Sequence, residues 1–332
     1  MREMNRLLGK KVLVTGASGF IGSHLTRFLI QKGAAVSIVA RYNSIEHNIR
    51  LAPFWKNLEI FEADIRNVES LSPLNNRQFD IIFHLAAYNH VGNSFQHVNE
   101  ALETNSNGTA NLLETITDYK KFIYISTSEV YGLQESVPFK EDNRPNPVSP
   151  YSIGKYAGEL YSLMKYHEAG LPITVIRPFN AFGPYQSIRA VIPELIQKCL
   201  LGESVVTTEG YQTREFNFVT DLTRGMVLAA LSDRTNGEII NLGTGRDLAI
   251  RDVVKMIHKR TSSTSELKIG VLPTRPNEIW QMRSDTCKAG ELLDWTPEVT
   301  FEEGLDRTID WFRKYLSIYH SPDSYLLSLS KN

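Results

Sequence analysis

The chain has 332 residues, of which 42% are apolar and 22% charged, close to globular averages and far from disordered or fibrous compositions. Lys and Arg total 36 against 37 Asp and Glu, a formal net charge of −1, so attraction of the whole molecule to nucleic acid or to an anionic membrane is not expected. Two cysteines, Cys199 and Cys287, are too few for a disulfide framework, no apolar run approaches the ~20 residues of a membrane span, and the chain reads as cytoplasmic.

Short β-rich runs alternate with segments of helical period. Val12-Leu-Val14 leads into a glycine cluster; the apolar stretch ending there is too short for a signal peptide and reads as a first strand. Ile21, Leu25, Phe28 and Leu29 then recur at i, i+4, i+7 and i+8, one face of a helix that Gly33 ends. Residues 36–40, 58–61, 80–85, 121–125 and 173–176 follow as further apolar runs with helix-like stretches between them. Such runs, joined by crossover helices, predict an α/β protein with a doubly wound parallel sheet of Rossmann type. Beyond Pro178 the rhythm loosens, with helices over 190–201, 222–231, 250–259 and 301–315 and a returning strand at Ile239-Ile240. The predicted organisation is a dinucleotide-binding domain (1–177 plus about 216–245), a smaller C-terminal substrate lobe (178–215 plus about 246–320) and a tail (321–332).

Thr15-Gly-Ala-Ser-Gly-Phe-Ile-Gly22 stands between the first strand and the first helix, with Gly16, Gly19 and Gly22 spaced GxxGxxG. Glycines at such a turn let backbone N–H groups reach a pyrophosphate, which the helix N-terminus favours electrostatically. A bare glycine triplet also marks ordinary turns. The strand–turn–helix setting is what makes this one a dinucleotide cradle, with Ser18, Phe20 and Ile21 alongside. About twenty residues on, where an acid would bond the adenosine ribose, the second strand ends in Ala40 followed by Arg41. An arginine suits a 2′-phosphate, so NADP is the expected cofactor and NAD the second choice; Arg41 can equally be a solvated strand-end charge. Asp64, beside Ile65 after the third strand, is placed to meet the adenine amino group or only to cap a turn.

Tyr151 and Lys155 lie four apart in Ser149-Pro-Tyr-Ser-Ile-Gly-Lys-Tyr-Ala-Gly-Glu159, on one face of a helix that Pro150 helps to start. The pair alone says little, because both residues are common. Its place after the fifth strand of a dinucleotide fold says more. There a lysine ammonium and a positive nicotinamide ring together can lower a phenol pKa from ~10 toward neutrality, at ~4 kcal/mol for three units. The phenolate can then take a hydroxyl proton while hydride leaves the same carbon.

Together with His84-Leu-Ala-Ala87, Arg177-Pro-Phe-Asn-Ala-Phe-Gly-Pro184 and Asn241-Leu-Gly-Thr-Gly245, these motifs resemble the extended short-chain dehydrogenase/reductases, in particular the nucleotide-sugar epimerases and dehydratases. The resemblance runs from about Lys10 to Tyr315. It implies that Ile65, Leu85, Ala86 and Ala87 line the cofactor, that Thr127 bonds the sugar O4, that Tyr151 is the base and that Lys155 meets the nicotinamide ribose. It places a nucleotide-diphosphate sugar in the C-terminal lobe, with Asn180 near its phosphates and Arg214 and Arg275 on the diphosphate, where guanidinium forks can bind bidentately. His90 follows the cofactor-side loop and can approach the substrate. Relatives commonly form homodimers through helices equivalent here to residues 98–117 and 151–167.

The segment Thr127-Ser-Glu129 points to a 4,6-dehydratase. Once C4 is a ketone the C5 proton is acidic, and one carboxyl, here Glu129, can remove it and then protonate the departing C6 hydroxyl. Ser128 stands where some relatives carry Asp, leaving the donor to that hydroxyl open. UDP-glucuronate decarboxylases also carry Thr-Ser-Glu, so a decarboxylase remains an alternative, as does a 4-epimerase in which Glu129 is structural. A cofactor-sensing regulatory protein is the non-enzyme alternative, disfavoured by the retained Thr127, Tyr151 and Lys155. No metal-ligand spacing is present, so no metal is expected.

Overall fold

In the computed structural model, residues 3–42, 50–274 and 278–320 are described. The first half delivers β1 (Lys11–Thr15), α1 (Phe20–Gln31), β2 (Ala35–Ala40), β3 (Leu58–Glu62), β4 (Ile81–His84), α2 (Val91–Ser94), α3 (Val98–Leu102), α4 (Gly108–Thr115), β5 (Phe122–Ile125), α5 (Pro150–Ala169) and β6 (Ile173–Pro178). Then come β7 (Ala181–Phe182), α6 (Val191–Leu201), β8 (Val205–Thr207), β9 (Thr213–Glu215), β10 (Asn217–Phe218), α7 (Val219–Leu231), β11 (Ile239–Leu242), β12 (Asp247–Ala249), α8 (Ile250–Thr261), β13 (Leu267–Ile269), α9 (Cys287–Leu293) and α10 (Phe301–His320).

Seven strands form one parallel sheet in the order β11-β6-β5-β4-β1-β2-β3, so the expected doubly wound sheet is present and Ile239-Ile240 does return to it. Strand order reverses between β4 and β1, which opens a crevice at their carboxyl ends, where such folds bind ligands. Two apolar layers cover the faces. Val12, Val14, Phe83 and Ile123 pack with α1 and α7 on one side, and Leu13, Ile82, Phe122 and Tyr124 pack with α4 on the other. A third cluster, around Phe182, Ile196, Phe216, Val253 and Phe312, lies beyond the sheet, where β7–β10, β12 and β13 pair only as two-stranded ribbons.

The helix that carries Tyr151 and Lys155 is firmly begun and ended. Ser149 and Ser152 form a reciprocal capping box, Pro150 occupies the first turn, and Gly170 closes the helix in the left-handed conformation. Its inner face is smooth: a Cβ at Gly158 would lie 2.5 Å from the Asn105 carbonyl oxygen and the Tyr124 hydroxyl. That close approach seats α5 against the π-helical turn Glu103–Asn107, bringing Tyr151 and Lys155 to the mouth of the crevice.

Candidate active site

The glycine turn is built for an anion. Gly16 has φ +71°, and a Cβ there would come within 2.6 Å of the Ala86 nitrogen, so only glycine lets the β1 turn pass under the loop after β4. Behind it, α1 begins at Gly19 with no capping side chain and no acid in its first turn, so its N-terminal N–H groups face the crevice without a competing carboxylate. A cavity of about 390 Å³ runs over this turn to Arg41, Asp64 and Ile65 and is walled by Ser18, Ala86 and His90. A second, of about 230 Å³, runs the other way past Phe20, Ile21 and Gly22 to Thr127, Ser128, Glu129, Tyr151, Lys155 and Asn180. Gly16, Gly19, Leu85 and Ala87 line both. The two share that lining and form one trough over the glycine turn.

His84 beneath the trough is structural, as expected for a packed residue. The Thr109 hydroxyl donates to the Asn105 carbonyl (2.9 Å), and the Thr15 oxygen accepts the Ala86 N–H (3.1 Å). His84 Nε2 therefore donates to Thr109 (3.0 Å), while Nδ1 accepts from Thr15 (2.7 Å). This chain needs a neutral ring, and burial holds its pKa near 3.

The reacting end is electrostatically tense. Burial pushes the Tyr151 phenol up to about 12, the neighbouring Thr127 hydroxyl opposes this, and the Glu129 charge adds to it. Burial also pushes Lys155 down to about 7. In the protein by itself burial thus opposes the ionised phenol, against which the expectation set the lysine and a nicotinamide charge together. Desolvation disfavours the charged form of each group. Lys155 Nζ lies 4.3 Å from the centroid of the Tyr124 ring and has no hydrogen-bond acceptor among the described residues. Thr127 accepts the Glu129 N–H (3.2 Å) and so caps the short 3-10 turn Ser128–Val130, which sets Glu129 into the same cavity as Tyr151.

The other expected contacts are placed as follows. Asp64 lines the adenosine end, but its carboxylate is bound by Arg66 at 2.6–3.1 Å, which holds it well below the usual carboxylate range. His90 caps α2, Nδ1 accepting the Asn93 N–H at 3.0 Å. Asn180 donates to the Glu215 carbonyl (3.2 Å), and Ser128 donates to the Met282 sulfur (3.5 Å). Arg214 is not brought to the trough. Its guanidinium is tied to Glu278 (2.5 Å) and to the Ile279 carbonyl (2.6 Å). Arg275 lies outside the described residues, as does the tail 321–332. Sequence reasoning missed Asn89 and Arg189, which also wall the trough. Arg189 enters from the segment before α6, and no motif marks it.

A glycine cradle at the switch point of a doubly wound sheet, with Thr, Tyr and Lys at its far end, defines a dinucleotide-dependent α/β oxidoreductase-type scaffold. The family model described as GDP-mannose 4,6 dehydratase matches residues 13–308, and the chain belongs to this family of extended short-chain dehydrogenase/reductases. It is 36% identical to a UDP-N-acetyl-alpha-D-glucosaminuronate decarboxylase of Bacillus cytotoxicus over 92% of this chain and 98% of that one. It superposes on an epimerase of Methanothermobacter thermautotrophicus with a TM-score of 0.89 at 33% identity, covering 96% of this chain and 97% of the other. A dTDP-glucose 4,6-dehydratase of Streptomyces venezuelae, solved with NAD bound, matches with a TM-score of 0.85 at 29% identity over 92% and 98% of the chains. The relatives are thus enzymes of nucleotide-sugar metabolism in three reaction classes. Among the described residues no helix is long and apolar enough to cross a membrane.

Proposed function

We propose that the protein is a nucleotide-sugar 4,6-dehydratase. The observation that carries this reading is the Glu129 carboxylate, delivered by the Thr127-capped turn into the cavity that holds Tyr151 and Lys155. A nicotinamide ring held in the trough would supply the redox chemistry, as a reversible hydride acceptor. Tyr151, flanked by Thr127, takes the proton of the sugar 4-hydroxyl. Glu129 takes the C5 proton once C4 is a ketone and returns it to the oxygen leaving C6, so one carboxyl serves both halves of the elimination; a solvent proton then restores C5 as hydride reaches C6, balanced by the proton Tyr151 releases. A 4-epimerase needs room for the keto sugar to turn but no such carboxylate.

The decarboxylase is the second reading, favoured by the relative at 36% identity. Its substrates carry a carboxylate on C5. Among the described residues walling the reacting end, Lys155 is the single cation and Glu129 the single carboxylate, a lining that suits a neutral hexose better than a uronate. The deciding experiment incubates the protein with UDP-, GDP- and dTDP-linked hexoses and uronates and follows product mass. Loss of one water supports the proposal; an unchanged mass with C4 inverted, or loss of carbon dioxide from a uronate, overturns it.

We assign NADP as cofactor, with NAD second. Arg41 walls the adenosine end and the Asp64 charge there is matched by Arg66, which leaves that end suited to a 2′-phosphate. A dinucleotide-binding domain of 1–177 plus about 216–245 and a substrate lobe of 178–215 plus about 246–320 are proposed on the same footing; Phe216 and Phe218 pack with the lobe while α7 packs on the sheet. A homodimer is proposed through α5, whose outer face leaves Ile153 and Leu160 exposed one heptad apart, beside exposed Phe95 and Val98. Light scattering at the monomer mass would remove it.

A further inference from the structure

We propose that Glu159 is a positioning residue for this site: its carboxylate is the counter-charge of the Lys155 ammonium and, through Ser126 and Arg177, the anchor of the turn that carries Thr127 and Glu129 beneath Tyr151. The inference deepens the reading above, since it concerns the pair that reading makes catalytic.

The geometry is compact. Glu159 follows Lys155 by one turn of α5 and is 1% exposed, as is Arg177 on β6. One carboxylate oxygen accepts both the Ser126 hydroxyl (2.7 Å) and Arg177 Nε (3.1 Å), and the other accepts Arg177 Nη2 (2.5 Å). Ser126, at the end of β5, also gives its backbone N–H to the Ile176 carbonyl (2.7 Å). The residue immediately before Thr127 is therefore held from both sides. Arg177 is fixed in turn by the Glu141 carbonyl (3.3 Å) and by stacking at 4.7 Å over the Tyr131 ring, whose hydroxyl donates to Asn241 (2.7 Å) on β11. The carboxyl ends of three adjacent strands thus converge on a single carboxylate behind the reacting groups.

Stability alone does not account for such a pair, because buried ion pairs add little over apolar residues of the same volume. Its place one turn along α5 from Lys155 does. The groups acting on that lysine are Glu159 from α5, Tyr124 from β5 and His84 from β4, while Glu129 acts on Tyr151. His84 and Tyr124 are neutral at pH 7, since burial lowers the one and raises the other. Of the charges around Lys155, the Glu159 carboxylate is the one that favours the ammonium against burial. Two features of the arrangement follow: more of the lysine keeps its charge near neutral pH than burial alone would allow, and the turn carrying Thr127 is held from both sides through Ser126.

The test reads the chain without cofactor or substrate, so it stands apart from which sugar nucleotide is turned over. In protein carrying 13C at lysine Cε, the Lys155 resonance is assigned by its loss in Lys155→Met and titrated from pH 5 to 11. The parent midpoint is expected near 7, as burial with a single counter-charge dictates. In Glu159→Gln the midpoint should fall by about one unit or more, the loss of a unit charge at close range in a partly buried setting. Because the remaining Arg177 charge can unfold that variant, the pair replacement Glu159→Met with Arg177→Met is titrated alongside, and the same direction is expected. A Lys155 midpoint near 10 in the parent, or one unchanged in a variant that melts cooperatively, overturns the proposal. A pH–rate profile of Glu159→Gln whose basic limb moves down with the resonance supports it.

Discussion

Lys155 and Lys121 sit at opposite ends of the same sheet, Lys155 at the carboxyl ends of the strands and Lys121 just before β5 at the amino ends. Both are almost fully buried, and burial lowers both, Lys155 to about 7 and Lys121 to about 8. Their hydrogen-bonding capacity is deployed differently. Lys121 gives its three donors to the Ser232 carbonyl (3.1 Å), the Thr235 hydroxyl (2.8 Å) and the Asn236 side-chain oxygen, so it closes the loop between α7 and β11 and has nothing left to offer. Lys155 rests on an aromatic face and keeps its donors toward the trough. The same desolvation therefore accompanies a structural clamp at one end and an ammonium lining the cavity at the other, and the lowered pKa by itself does not tell them apart.

Substitution of each lysine by methionine should separate the two roles most sharply. Lys155→Met is expected to lose about 10²–10⁴ in turnover while keeping a cooperative melt, and Tyr151→Phe, which removes the proton acceptor, should match it. Lys121→Met should leave turnover within about twofold. Equal activity losses at both lysines, measured as product formed per mole of folded protein, would break the comparison. Glu129→Gln comes next. Water elimination should fall by about 10²–10³, with C5 hydrogen exchange into deuterated solvent lost in parallel while C4 oxidation persists; full turnover in this variant would remove Glu129 from the chemistry. Smaller again is Arg41→Ala, expected to weaken NADPH binding by about tenfold, the worth of one charge-assisted contact to phosphate. NADH binding should stay unchanged, both read by fluorescence titration. Equal losses for the two dinucleotides would return Arg41 to the surface charge that its strand-end position also allows.

How much of this was readable in advance follows from where each feature's information lies. The cradle was readable because backbone geometry demands glycine: Gly16 at φ +71° under Ala86 leaves a mark in the sequence itself. The sheet was readable because doubly buried strands are continuous apolar runs. The ribbons of the lobe, only two or three residues per strand, are too short to show a period of two, and the π-helical turn at Glu103–Asn107 has the same composition as the helices beside it. The fate of Arg214 was hidden for another reason. Glu278 stands 64 residues away, and only the folded chain shows that the guanidinium expected on a diphosphate is already matched by a carboxylate. Asp64 repeats the lesson at short range with Arg66. Motifs brought their residues together in one cavity, and failed to show commitments made by residues outside any motif.

The finest distinction between the two lysines is thermodynamic, and it concerns pH. The folded-state pKa of Lys121, about 8, lies below the ~10.4 of an unfolded lysine. Below pH 8 both states hold the proton, and between about 8 and 10.4 the unfolded chain holds more protons than the folded one. Stability contributed by this residue therefore rises with pH through that window. The full span amounts to about 3 kcal/mol, from roughly two units at ~1.4 kcal/mol each. Lys155 adds a rise of the same sign beginning nearer pH 7, while the buried tyrosines, raised above their usual value, act against stability only above about pH 10. Chemical denaturation at pH 7.5 and 9.5 should accordingly show the parent gaining stability on the way up and Lys121→Met gaining distinctly less, the difference being the titration of Lys121. Parallel pH curves for the two proteins would mean that the three oxygen acceptors already hold the Lys121 ammonium as well as water does, and the likeness between the two ends of the sheet would then reduce to burial alone.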